Sequence, residues 1–286
     1  MKPVLIIKLG DTLPDLAKRK GDFEEWFMAP LHEASLRTQV IDPRGGSALP
    51  PPTDYAGILL TGSHSMVTDK EAWNRETAAW LPGAVASNVP LLGVCYGHQL
   101  LADALGGRVG NHPQGLEMGT VEIRLESAAK NDLLMKKLPE TFQVHASHTQ
   151  SVISLPPDAL LLAANAWEAH HAFAVGECAW GIQFHPEFDV DIMRTYLDAF
   201  RNLLISQGQD AGRLLKQVKE TPYSRQVLER FAEIVVEKEK GNIYMTTGIC
   251  SCIANHQCPS TTRNTIIGHC SACQKNLPLG IGDAPG

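Results

Sequence analysis

The stretch Pro90-Leu91-Leu92-Gly93-Val94-Cys95-Tyr96-Gly97 decides how this chain is read. Residues 90–95 form a continuous apolar run of strand length, leading directly into a helical period over 98–105 that Gly106-Gly107 ends. Glycines two before and two after Cys95 allow a turn sharp enough to project one side chain from the junction. A thiol placed there sits at a helix N-terminus, whose partial positive charge favours thiolate. Backbone N–H groups of the same turn can serve an oxyanion. The competing reading is a buried structural cysteine beside glycines needed for close packing.

Upstream, Val4 to Leu9 reads as a buried strand before a polar turn at Gly10-Asp11. Thr38 to Ile41 is a second strand, and Ala56 to Leu60 a third that ends in Thr61-Gly62-Ser63-His64. A helix with Trp73, Thr77 and Trp80 on one face follows and is expected to close at Pro82-Gly83. Short apolar runs alternating with helical periods are the α/β signature, in which active residues gather at the carboxyl ends of strands. Residues 120–125, 141–145, 151–155, 159–164, 172–175 and 179–184 read as closely spaced strands, an antiparallel addition to a parallel sheet. One amphipathic helix is expected over Asp189 to Ser206, with further helices over Gly212 to Glu220 and Ser224 to Lys240, the last capped by Ser224. The organisation expected is therefore a domain over 1–206, a helical extension over 207–240 and a cysteine-rich tail over 241–286.

The 286 residues suit one large domain, or one domain with an appendage of roughly 80 residues. With 25 Lys and Arg against 31 Asp and Glu, no basic footprint for nucleic acid is expected. Only four apolar residues follow Lys2-Pro3 before Lys8, too few for a secretory leader, and no run approaches the ~18 apolar residues of a membrane span. A soluble, cytoplasmic protein with no membrane partner is the expectation.

A thiol nucleophile needs an imidazole to manage its proton, and the imidazole needs an orienting carboxylate. Phe184-His185-Pro186-Glu187 offers both, with Glu187 two residues beyond a histidine at a strand end. Gly93 to Ala102, followed by Gln183-Phe184-His185-Pro186-Glu187-Phe188, resembles the class I glutamine amidotransferase family, and most nearly the glutaminase domain of GMP synthetase and its free-standing relatives. Thr61-Gly62-Ser63 and Ser147-His148 are lesser landmarks, and the likeness covers about residues 1 to 205.

The resemblance implies a flavodoxin-like α/β fold and a glutaminase with Cys95 as nucleophile, His185 as proton carrier and Glu187 as its orienting group. It further implies an oxyanion site at the backbone of Gly62, Ser63 and Tyr96, and glutamine binding by Gln99, Ser147 and His148. Thr149-Gln150 departs from the Gly-Asp common in the synthetase version, which bears on the partner interface. The chemistry requires no cofactor. The chain shows no phosphate loop, dinucleotide fingerprint or S-G-G-x-D-S stretch, so an acceptor synthetase is expected on another chain. The alternatives are a γ-glutamyl peptide or amine hydrolase with the same three residues, and an idle regulatory or binding subunit.

Several residues carry plainer readings. Cys178 is expected in the core, His112, His170 and His171 at the surface or in turns, and His64 beside the oxyanion turn is a candidate substrate contact. Cys250, Cys252, Cys258, Cys270 and Cys273, with His256 and His269 nearby, offer either a four-coordinate zinc site or a flexible extension without metal.

Overall fold

The computed structural model describes residues 1–241; the tail cysteines and their zinc alternative lie outside the described residues. In chain order the elements are β1 (Val4–Ile7), α1 (Pro14–Lys20), α2 (Phe23–Glu33), β2 (Thr38–Ile41), β3 (Gly57–Leu60), α3 (Ala72–Ala86), β4 (Leu91–Val94) and α4 (Tyr96–Ala104). Then come β5 (Arg108–Asn111), β6 (Glu117–Leu125), β7 (Thr141–His148), β8 (Gln150–Ser154), β9 (Leu160–Ala164), β10 (Ala172–Val175) and β11 (Ala179–Ile182). Four helices follow, α5 (Val190–Ala199), α6 (Arg201–Ser206), α7 (Ala211–Gln217) and α8 (Pro222–Glu239).

One sheet of nine strands runs β2-β1-β3-β4-β11-β10-β9-β6-β7. The pairings from β2 through β11 are parallel, and those from β11 through β7 antiparallel. A small antiparallel pair, β5 with β8, stands apart. The α/β architecture with an antiparallel addition is thus the one expected. All four residues of β1, β3, β4 and β11 are buried, as continuous apolar runs in a sheet covered on both faces require. Alternation within β1 divides the core: Val4 and Ile6 join one apolar cluster, Leu5 and Ile7 the other. Each such fully buried side chain contributes roughly 1.5–3 kcal/mol.

The helices fix the loops around the strand ends. Asp22 caps α2 in a capping box with Glu25, and the helix buries Phe23, Phe27 and Leu31. Helix α8 buries Val227, Leu228, Phe231, Ile234 and Val235, so closely that a Cβ on Gly57 of β3 would lie 2.7 Å from Val235 Cγ2.

The structure corrects four boundaries. Helix α3 passes through Pro82 to Ala86, because Leu81 and Ala84 are buried and their packing outweighs one lost backbone hydrogen bond. The helix expected over 189–206 breaks at Phe200 (φ −95°, ψ 10°), which ends α5 and begins α6. Helix α7 stops at Gln217. Helix α8 starts at Pro222 after Thr221, so Ser224 lies inside its first turn, buried and with its hydroxyl unpartnered. Helices α1 and α2 and strand β5 are additional to the elements expected. Among the described residues no helix is long and apolar enough to cross a membrane.

Candidate active site

Three neighbouring parallel strands deliver their carboxyl ends to one place. Strand β3 continues into Thr61-Gly62-Ser63, β4 into Cys95, and β11 into Gln183-Phe184-His185. Cys95 adopts φ 52°, ψ −102°, a conformation that costs a non-glycine residue on the order of 1–3 kcal/mol. Its surroundings hold it there: its N–H donates to the Ile182 carbonyl at 2.9 Å, and its own carbonyl accepts from Gln99 N at 3.1 Å. The flanking glycines answer to crowding, since positive φ falls on Cys95 and on neither of them. A Cβ on Gly93 would meet Gly97 O at 2.5 Å, and one on Gly97 would meet Leu60 Cβ at 2.7 Å.

The thiol of Cys95 faces the Ser147 carbonyl, with Sγ 3.7 Å from the oxygen. Beside it, His185 Nδ1 donates to Glu187 Oε1 at 2.6 Å, the two side chains being 3% and 0% exposed. Phe188 stacks on the imidazole with ring centroids 4.0 Å apart, and Phe23 lies parallel at 6.1 Å. The His185 N–H donates to the His145 carbonyl at 2.8 Å. Burial pulls the His185 pKa down, but the charges of Glu187 and Cys95 and hydrogen bonds to both outweigh it and hold it up at about 10. The neighbouring His145 is pushed down to about 4, first by burial and then by the charge of His185, so it stays a neutral support.

Gly62 and Tyr96 border the same space. A Cβ on Gly62 would lie 3.2 Å from His185 Cε1, so any larger residue there crowds the imidazole. Tyr96 is the first residue of α4, where backbone N–H groups lack intrahelical partners. Cys95, His185, Ser63, Tyr96, Gln99, Ser147 and His148 line one cavity of about 110 Å³. Gln99 is buried rather than solvated, its amide donating to Gln150 O at 2.8 Å and Gln183 Oε1 at 3.0 Å. His64 lines the cavity as well.

Behind the cavity lies a buried ionic cluster that the sequence reading missed. His148 Nε2 is 2.8 Å from Glu117 Oε2, and its Nδ1 is 3.0 Å from the Gln150 carbonyl. Both ring nitrogens face acceptors, so His148 carries two protons. Its pKa is raised accordingly: burial opposes the charge, and Glu117 overrides burial. Glu117 is held well below the carboxylate range, where the hydrogen bonds and charges of His148 and His171 outweigh its own burial. His171 sits in the turn before β10, one of its two expected placements, but is fully buried rather than at the surface, with Nε2 3.1 Å from Glu117. His112 packs on Trp167, its Nε2 2.8 Å from the Trp167 carbonyl. Cys178 is buried, as expected, its thiol donating to Asn88 O at 3.1 Å. Glu117 opens a strand with no motif around it, and nothing in its spacing marks it. Phe188 adjoins His-Pro-Glu and was legible in principle as the ring next to the imidazole.

The family model described as glutamine amidotransferase class-I matches residues 34–201. The GMP synthase (glutamine-hydrolyzing) of Syntrophomonas wolfei is 35% identical over 150 residues, which are 49% of this chain and 27% of that protein. Gamma-glutamyl peptidase 5 of Arabidopsis thaliana is 26% identical over 155 residues, 54% of this chain and 62% of that protein. The chain therefore spans less than two thirds of the length of either. A glutamine amidotransferase crystal structure from Thermotoga maritima superposes with a TM-score of 0.66 at 22% identity, covering 83% of this chain and 99% of that one. That likeness bears out the fold. The matched family segment is more than half of the sequence and contains the elbow and the His-Pro-Glu stretch: the chain belongs to the class I glutamine amidotransferase family.

Proposed function

We propose that this chain hydrolyses the side-chain amide of glutamine or of a γ-glutamyl compound through Cys95, His185 and Glu187 and a γ-glutamyl thioester. The observation that carries the reading is the buried 2.6 Å contact of His185 with Glu187 beside a cysteine held at positive φ on the strand end. The Cys95 thiolate attacks the γ-carbonyl carbon, and the oxyanion is received by backbone N–H groups of Tyr96 and of the Gly62-Ser63 turn. One such donor is worth about 2.7–4 kcal/mol of barrier. The C–N bond breaks as His185 passes its proton to the leaving nitrogen, while Glu187 holds the imidazole. Water then adds to the thioester, gives its proton to His185, and releases glutamate with the thiolate restored. Gln99 and Ser147 form the polar part of the cavity for the glutamyl group, with the His148 ring held behind them on Glu117 and the Gln150 carbonyl.

The released nitrogen has two fates. With a GMP synthase among the relatives, ammonia goes to an acceptor synthetase on another chain. With a gamma-glutamyl peptidase among them, a larger amine leaves to solvent; the apolar wall of the cavity favours this second fate. Glutamate release from glutamine and from γ-glutamyl amides, measured beside Cys95→Ala, tests the shared chemistry. Cys95-dependent release supports it, and release that survives the substitution contradicts it.

A further inference from the structure

A run of rings leads away from His185. Phe188 stacks on the imidazole at 4.0 Å between centroids, Tyr196 lies 5.0 Å from Phe188, His64 5.8 Å from Tyr196, and Phe200 5.9 Å from His64. His64, Tyr196, Phe200 and Leu203 line the cavity that holds Cys95 and His185. Two polar atoms of this wall are turned toward protein: the Tyr196 hydroxyl pairs with Thr12 Oγ1 at 2.8 Å and with His64 Nε2 at 3.3 Å. Ring faces and the 41% exposed Leu203 make up the apolar surface that this wall offers a ligand. No Asp, Glu, Lys or Arg is among the described residues lining the cavity.

A nitrogen leaving the γ-carbon must face the imidazole that protonates it. Whatever that nitrogen carries therefore projects along the wall that continues from His185. Ammonia carries nothing and gains nothing from apolar surface there, whereas a hydrophobic substituent is sheltered from water by it. We propose, resting on the thiol chemistry above, that the preferred substrate is a γ-glutamyl amide of a neutral amine bearing an aromatic or bulky aliphatic group, seated against His64, Phe200 and Leu203.

Charge supports the choice. A second ammonium on the leaving group would find no carboxylate in the cavity. A carboxylate on it would find no lysine or arginine among the described residues of the wall. The reaction balances as hydrolysis: the C–S bond forms as C–N breaks, the imidazolium proton goes to nitrogen, and water supplies the hydroxyl of glutamate and the proton returned to His185.

The test compares kcat/KM of the full chain on glutamine, γ-glutamyl ethylamide and γ-glutamyl phenethylamide. Phenethylamine is the less basic of the two amines by about one pKa unit, so binding of the ring is read from how the ratio of their amides changes between the parent and wall variants, in which leaving-group basicity is the same. The phenethylamide is expected to exceed the other two by about tenfold or more. Phe200→Ala and, independently, the surface change Leu203→Ala are each expected to lower the phenethylamide-to-ethylamide ratio several-fold. Equal kcat/KM for the three amides, or a preference for glutamine, overturns the proposal while Cys95-dependent turnover keeps the thiol mechanism. Turnover that persists in Cys95→Ala overturns that mechanism, whichever amide is favoured.

Discussion

His185 and Glu187 are two residues apart in sequence and 2.6 Å apart at Nδ1 and Oε1, both buried, because Pro186 turns the chain where β11 has ended. The carboxylate fixes which ring nitrogen carries its proton inward and leaves the other for Cys95. Among the described residues Glu187 Oε2 has no hydrogen-bond partner, so the charge of the carboxylate serves the imidazole.

Glu187→Gln removes the largest influence raising the His185 pKa. The rate is expected to fall by about 10²- to 10⁴-fold. With the folded pKa at about 10 against an ordinary 6.5, His185 keeps its proton through neutral pH, and the alkaline limb of the rate profile lies well above 6.5. In the variant that limb moves to lower pH. A profile of kcat/KM against pH checks it; an unmoved limb contradicts the assignment.

Cys95→Gly tests stored strain. Glycine accepts φ 52° without cost, so the variant is expected to unfold with about 1 kcal/mol more stability than Cys95→Ala while both are inactive. Denaturant titration of the two variants gives the difference.

Glu117→Ala leaves the charged His148 buried without its carboxylate, and a loss of about 3–5 kcal/mol in stability is expected. The pH dependence has a defined sign. Glu117 has a depressed folded pKa, so its contribution is complete above the ordinary 4.5 and lost as pH falls through the folded value. His148 has a raised one, so its contribution is complete below the ordinary 6.5 and lost as pH rises through the folded value. The stability gap between the parent and Glu117→Gln is therefore largest between these limits and narrows on both sides, as chemical denaturation across pH would show.

Gly97→Ala places a methyl against Leu60 Cβ and carbonyl, both 2.7 Å from it, where backbone has to move. A cost of about 1–3 kcal/mol is expected, with loss of activity because the same helix turn shapes Cys95. Thermal unfolding and the amide assay report the two effects separately.

Much of this candidate site is legible in the sequence because its signals are local. A strand of four buried residues, an elbow and a helix occupy consecutive positions from Leu91 to Ala104, and His-Pro-Glu sits at the end of the next strand over. Helix α2 also carried a local signal, the Asp22-x-x-Glu25 capping box, that the sequence reading did not use. Pro82 reads as a stop from sequence, yet burial of Leu81 and Ala84 carries α3 past it. The Glu117, His148 and His171 cluster was hidden for a different reason. Its members come from β6, the end of β7 and the loop before β10, and only the folded sheet brings them together. Likewise the ring path from Phe188 through Tyr196 to Phe200 lies within residues 188–200, but His64, which completes it, comes from the loop after β3, so no window of sequence contains the whole.

The central claim is that Cys95 forms a γ-glutamyl thioester. Rapid acid quench of the full chain during turnover of a γ-glutamyl amide, followed by mass spectrometry of the peptide bearing Cys95, tests it most directly. The account predicts a γ-glutamyl adduct on Cys95 that decays with glutamate release and is absent from Cys95→Ala. Steady turnover with no adduct on that peptide, undiminished in Cys95→Ala, would contradict it.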